Sequence, residues 1–136
     1  MKLLLFIPLC LTLIQCGRIG KLGSGKYAVA DQEYSSQNYS MERVLRAGGE
    51  FTEQHLVDHC LLMEMTGKWK QDGGTLTLNY DQIRNRPNCH DSLTAWGKDS
   101  SALKIPVRNV DANSYESLLA ASGGKPDKWI KWLKTE

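Results

Sequence analysis

The stretch from Glu50 to Tyr80, EFTEQHLVDHCLLMEMTGKWKQDGGTLTLNY, constrains this chain most, because its apolar residues recur with a period of two. Leu61, Met63, Met65 and Trp69 share one parity while Glu64, Thr66, Lys68 and Lys70 share the other, the alternation of a strand with one dry face. Leu76, Leu78 and Tyr80 repeat the pattern against Thr75, Thr77 and Asn79, and Asp72-Gly73-Gly74 between the two runs supplies the positive φ of a tight hairpin. Three consecutive antiparallel strands are expected, and their dry face must cover something.

The same rhythm extends both ways. Lys26 to Ala30 reads as an edge strand, Asp31 to Ser40 as a loop, and Met41 to Ala47 as a strand that Gly48-Gly49 turns into Phe51 to Val57. Because Glu53 and His55 share the parity of Phe51 and Val57, that strand is expected to be partly buried or bulged. Beyond Tyr80 the pattern loosens: Ile83 stands alone, and a loop runs from Pro87 through Cys89 to Ser92. A short strand from Leu93 to Trp96 follows. Leu103, Ile105 and Val107 then alternate with Lys104, Pro106 and Arg108, and Pro106 assigns that strand to an edge or a bulge. Asp111 to Asn113 turns the chain. Tyr115 to Ala121 is a strand by position, although Ser117 to Ala121 suits a helical turn equally well on propensity. Trp129 to Lys134 closes the chain as a strand, with a short helix as the alternative. About seven to nine short strands with turn signals roughly every eight to twelve residues indicate an all-β fold. The expectation is an antiparallel meander closing into a small barrel of about eight strands, since sequential hairpins need no crossovers and closure removes exposed edges.

The first residues have another character. Lys2 precedes the apolar run Leu3 to Ile14, too short to span a bilayer but suited to a signal-peptide core. Leu13-Ile14-Gln15-Cys16-Gly17 resembles the bacterial lipobox, with Gln15 where that motif prefers a small residue. The resemblance implies cleavage before Cys16, acylation of its thiol and a lipid anchor in a membrane. A plain secretory signal, an uncleaved anchor and acylation at Cys10 are the alternatives. Residues 1–16 are thus expected to be a signal peptide, 17–26 a glycine-rich flexible tether and 27–136 the barrel domain. Gly17, in the place of the Asp that retains such lipoproteins at the inner membrane, implies a cell-envelope location at the outer membrane.

The 136 residues fit one domain, and a net charge of +2 with acids and bases interleaved gives no footprint for nucleic acid. With Cys10 removed and Cys16 acylated, Cys60 and Cys89 remain in an oxidising compartment, where a disulfide is expected. His59-Cys60 and Cys89-His90 offer a zinc alternative, disfavoured because adjacent strand residues point to opposite faces. The chain has no Gly-x-Ser-x-Gly, no His-Glu-x-x-His and no phosphate-cradling glycine loop, so neither an enzyme nor a cofactor is expected. Leu61, Met63, Met65, Trp69, Leu76, Leu78 and Tyr80 line either a packed centre or a ligand cavity, and are the candidate binding residues.

Three segments carry a family resemblance. Leu45-Arg46-Ala47-Gly48-Gly49-Glu50-Phe51-Thr52, Gly67-Lys68-Trp69-Lys70 and Gly74-Thr75-Leu76-Thr77-Leu78 resemble the repeating core of bacterial lipocalin-like lipoproteins, and Lys128-Trp129-Ile130-Lys131-Trp132 resembles their closing strand. Gly48-Gly49 replaces the family's Asp-Gly, and Gly67-x-Trp69 lies mid-chain instead of on the first strand. The resemblance implies a monomeric, membrane-tethered, non-enzymatic barrel that binds a small apolar ligand. The alternative is a surface module for a protein partner; Ser122-Gly123-Gly124-Lys125 is similar to the Ser-Gly loop of small lysozyme-inhibiting barrels. A hollow barrel favours the first reading and a filled one the second.

Overall fold

A computed structural model describes residues 19–30, 38–95, 102–119 and 127–136. The segment expected to be a signal peptide, Cys16 and residues 122–125 lie outside the described residues. Among the described residues nine strands follow in order: β1 (Gly25–Val29), β2 (Tyr39–Leu45), β3 (Glu50–Val57), β4 (Cys60–Asp72), β5 (Thr75–Asn85), β6 (Thr94–Ala95), β7 (Ala102–Arg108), β8 (Ser114–Leu119) and β9 (Lys128–Lys134). Every strand pairing is antiparallel. β9 returns to pair with β1, and the β4–β5 hairpin joins the two arms of the meander, so eight strands close a barrel. β6 stands outside the ring and, among the described residues, pairs with the far end of β5 alone, through Arg84 and Asn85. The strand expected at the C-terminus is present, with Ile130 and Trp132 buried on one parity.

The β4–β5 turn has the two-residue loop its sequence predicts: Asp72 faces Thr75, and Gly73 adopts φ 56°. The β3–β4 turn is equally short, but its centre is Asp58-His59, with φ of 50° and 62°. Two bulges then change parities. In β5, Gly67 faces Tyr80 while Thr66 faces Gln82, so Asp81 is an extra residue, and Ile83 takes its place opposite Met65. Glycine is required at 67, since a Cβ there would stand 1.9 Å from the Asn79 carbonyl oxygen. In β4, His55 faces Met63 while Leu56 faces Leu61, so Leu62 is extra and Leu61 leaves the parity of Met63 and Met65.

One end of the barrel is sealed. Ile19 to Ser24 fall in the stretch expected to be a free tether, yet they lie against the β7–β8 turn. The Gly20 N–H donates to the Val110 carbonyl (2.8 Å), the Leu22 N–H donates to Gln71 Oε1 (2.7 Å), and Gln71 Nε2 donates to the Gly20 carbonyl (2.8 Å). Leu22, 3% exposed, belongs to the core cluster. A glycine-rich segment cannot make a core of its own, but one leucine suffices to cover the apolar end of another. Above it the interior is packed with aromatic rings: Tyr27 meets Tyr115 edge-on at 5.3 Å, and Tyr115 stacks on Trp132 at 5.9 Å.

Candidate functional site

Toward the other end the wall parts between β7 and β8. Those strands pair only through Val107 with Ser117 and Arg108 with Glu116. The Val107 N–H donates across to Gly74, on the β5 side, so the nitrogen of Pro106 is directed to the β8 side, where it has no hydrogen to donate. The ladder ends there. A proline in a closed barrel thus makes a local edge, and a slot opens into a cavity of about 350 Å³. Leu103, Ile105 and Pro106 form one lip, Leu118 and Leu119 the other, and Met41, Tyr80 and Ile130 the walls.

At its depth lie Arg43, Glu53, His55, Ser117 and Trp132. Arg43 and Glu53 are directly opposed across β2 and β3, with side chains only 5% and 7% exposed. Arg43 Nε and Nη2 both reach Glu53 Oε2, at 2.8 and 2.7 Å, and Nη1 donates to the Tyr115 hydroxyl at 2.8 Å. The guanidinium also lies 4.2 Å over the Trp132 ring. The other carboxylate oxygen, Oε1, is 2.8 Å from His55 Nε2, and a carboxylate can only accept, so that nitrogen carries the proton. In the neutral ring Nδ1 then accepts from the Tyr39 hydroxyl at 2.7 Å. Burial alone would raise the Glu53 pKa, but the Arg43 charge and the His55 hydrogen bond outweigh it and hold it at about 2. Burial pushes the phenols of Tyr115 and Tyr80 up to about 12, with the Glu53 charge adding to both. The site is therefore an apolar slot over a buried ion pair whose charges cancel.

Of the residues expected to bind ligand, Tyr80 lines this cavity. Met65, Leu76 and Leu78 are buried, the two leucines in the main core cluster. Trp69 packs partly against that cluster, and its Nε1 donates to the Arg46 carbonyl at the β2–β3 turn. Met63 is half-buried opposite His55, and Leu61 is displaced by the bulge. Sequence reasoning missed Arg43, Glu53, His55, Ile105, Leu119, Ile130 and Trp132. One signal was present: Arg43 lies on the parity of Met41 and Leu45, Glu53 lies on that of Phe51, and a hairpin about Gly48-Gly49 sets the two opposite.

The Cys60–Cys89 disulfide joins the start of β4 to the loop after β5, with Cα atoms 5.9 Å apart. It uses both sulfurs that the zinc alternative required, and His59 and His90 are exposed. Comparison with protein families, with curated proteins and with solved structures finds no match to this chain, so the reading of the site rests on its own geometry.

Proposed function

We propose that this chain is a non-enzymatic binding protein that takes a small, largely apolar ligand through the slot between β7 and β8. The cavity of about 350 Å³ carries the reading: it falls in the range of small-molecule sites, and most of its walls are apolar. The order Tyr39, His55, Glu53 is that of a hydroxyl–imidazole–carboxylate relay. Catalysis is nonetheless the weaker reading, because Glu53 is already neutralised by Arg43 and is a poor partner for a charge developing on His55. Fluorescence of N-phenylnaphthylamine, an uncharged apolar probe, tests the proposal. Emission rises on mixing with the folded protein, Leu119→Trp at the slot abolishes the rise, and Lys70→Ala on the exposed side of β4 leaves it intact. No rise with the wild type overturns the binding reading and leaves the protein-interaction alternative.

The same proposal places the barrel in the cell envelope, anchored by an acyl group on Cys16, on the strength of the lipobox resemblance. Growth with labelled palmitate is expected to mark the protein, and Cys16→Ala to abolish the mark; label persisting in that variant overturns the assignment.

A further inference from the structure

Resting on the binding reading, we infer that the slot selects ligands with an uncharged polar head group, such as an alcohol, over carboxylate-headed ligands of the same chain length. A guanidinium at the base of an apolar cavity is ordinarily a receptor for a carboxylate, because its planar fork donates two parallel hydrogen bonds. Here the Nε–Nη2 face is occupied and the charge is balanced by Glu53. Nε and Nη2 are committed to Glu53 Oε2 and Nη1 to Tyr115, while His55 engages the remaining oxygen of Glu53. Neither an anionic nor a cationic head therefore meets an unbalanced counter-charge at depth, and either would enter the cavity unpaired, which is costly.

An uncharged head is better served. Arg43 Nη1 and Nη2 each have a second N–H beyond those already donated. The Ser117 oxygen accepts from Trp132 Nε1 at 2.9 Å, which leaves the serine O–H to donate. The Tyr80 phenol on the wall is a third donor, kept protonated by burial. Lys104 also lines the cavity, but it belongs to the exposed rim, where water screens its charge.

The test is displacement of N-phenylnaphthylamine by 1-octanol and by octanoate at pH 8, where octanoate is fully ionised. Any apolar pocket favours the alcohol to some degree, so the decisive readings are changes between variants. Glu53→Gln keeps an acceptor for Arg43 but removes the charge that balances it, and octanoate affinity is expected to rise about tenfold or more while that of octanol changes little. If that variant does not fold, the double variant Arg43→Met with Glu53→Leu takes its place: it removes both charges, and octanoate affinity is expected to stay at the wild-type level. Lys104→Ala is expected to leave the ratio of octanol to octanoate affinity unchanged. A folded Glu53→Gln protein with no gain for octanoate overturns the inference, as does a double variant or Lys104→Ala protein that loses octanoate about tenfold relative to octanol, since Arg43 or Lys104 was then already holding the carboxylate. Failure of the wild type to bind the fluorescent probe at all removes the binding reading itself and this inference with it, an outcome distinct from the others.

Discussion

Arg43 and Glu53 show how a charged residue on an inward parity can be read two ways. Glu53 and His55 on the Phe51 parity suggested a partly buried or bulged strand, and β3 is half-buried from Gln54 to Val57 with a register shift against β4, yet Glu53 itself is buried. The structure buries it with a partner, and only the pairing register of the next strand reveals that partner. Glu53→Gln is accordingly expected to destabilise the fold by about 3–5 kcal/mol, since it leaves Arg43 as an uncompensated buried charge, whereas Arg43→Met with Glu53→Leu costs much less. Urea denaturation of the two variants checks this. The same pair sets an acid limit. Because the folded-state pKa of Glu53, about 2, lies below its ordinary 4.5, the carboxylate contributes stability that is fully present above 4.5 and is lost as the pH falls toward 2. In Arg43→Met with Glu53→Leu, the urea midpoint is expected to fall less steeply across that window than in the wild type.

At the scale of strands and turns, what was legible depended on whether the period of two continued unbroken. The Asp72-Gly73-Gly74 hairpin and the Ile105 to Val107 alternation are local, and they appear as read, whereas Leu103, expected on the same dry face, is 47% exposed. The Leu62 and Asp81 bulges are not local: each adds a residue to one strand only, so Leu61 drops out of an inward set it matched by spacing, and Ile83, isolated by spacing, joins one. Gly67 is the residue that tolerates the second bulge. Gly67→Ala is expected to cost about 1–3 kcal/mol in urea denaturation, because the new methyl group meets backbone rather than a side chain that can move aside. The disulfide closes a loop with a sequence separation of 29 around the β4–β5 hairpin, and replacing both cysteines by alanine is expected to lower stability by about 3–4 kcal/mol in the chain-entropy account. Pro106 was legible as an edge residue, but not the cavity behind it, since the missing N–H matters only once β8 is known to be the neighbour.

For the molecule as a whole, the meander and its closure were legible because they follow from the count and spacing of turns, whereas which half of the barrel is filled depends on contacts between residues far apart in the chain. Leu22 is the clearest case. It stands between Lys21 and Gly23 in a glycine-rich run and its contacts come from elsewhere in the chain, so nothing in its surroundings signals a core residue; Leu22→Ala is nevertheless expected to cost about 2–5 kcal/mol, measurable as a lowered thermal midpoint. The packing of Ile19 to Ser24 against the sealed end would also set an orientation for a barrel anchored through Cys16. From Cys16 to Ile19 the chain covers three residue steps, a reach of at most ~11 Å. An acyl group on Cys16 would therefore give the barrel very little leash, with its sealed base facing the headgroups and the slot set toward the opposite end. Such a protein would collect its ligand from the aqueous phase or from a soluble donor; lifting one directly out of the leaflet in which it is rooted would require the slot to face the other way.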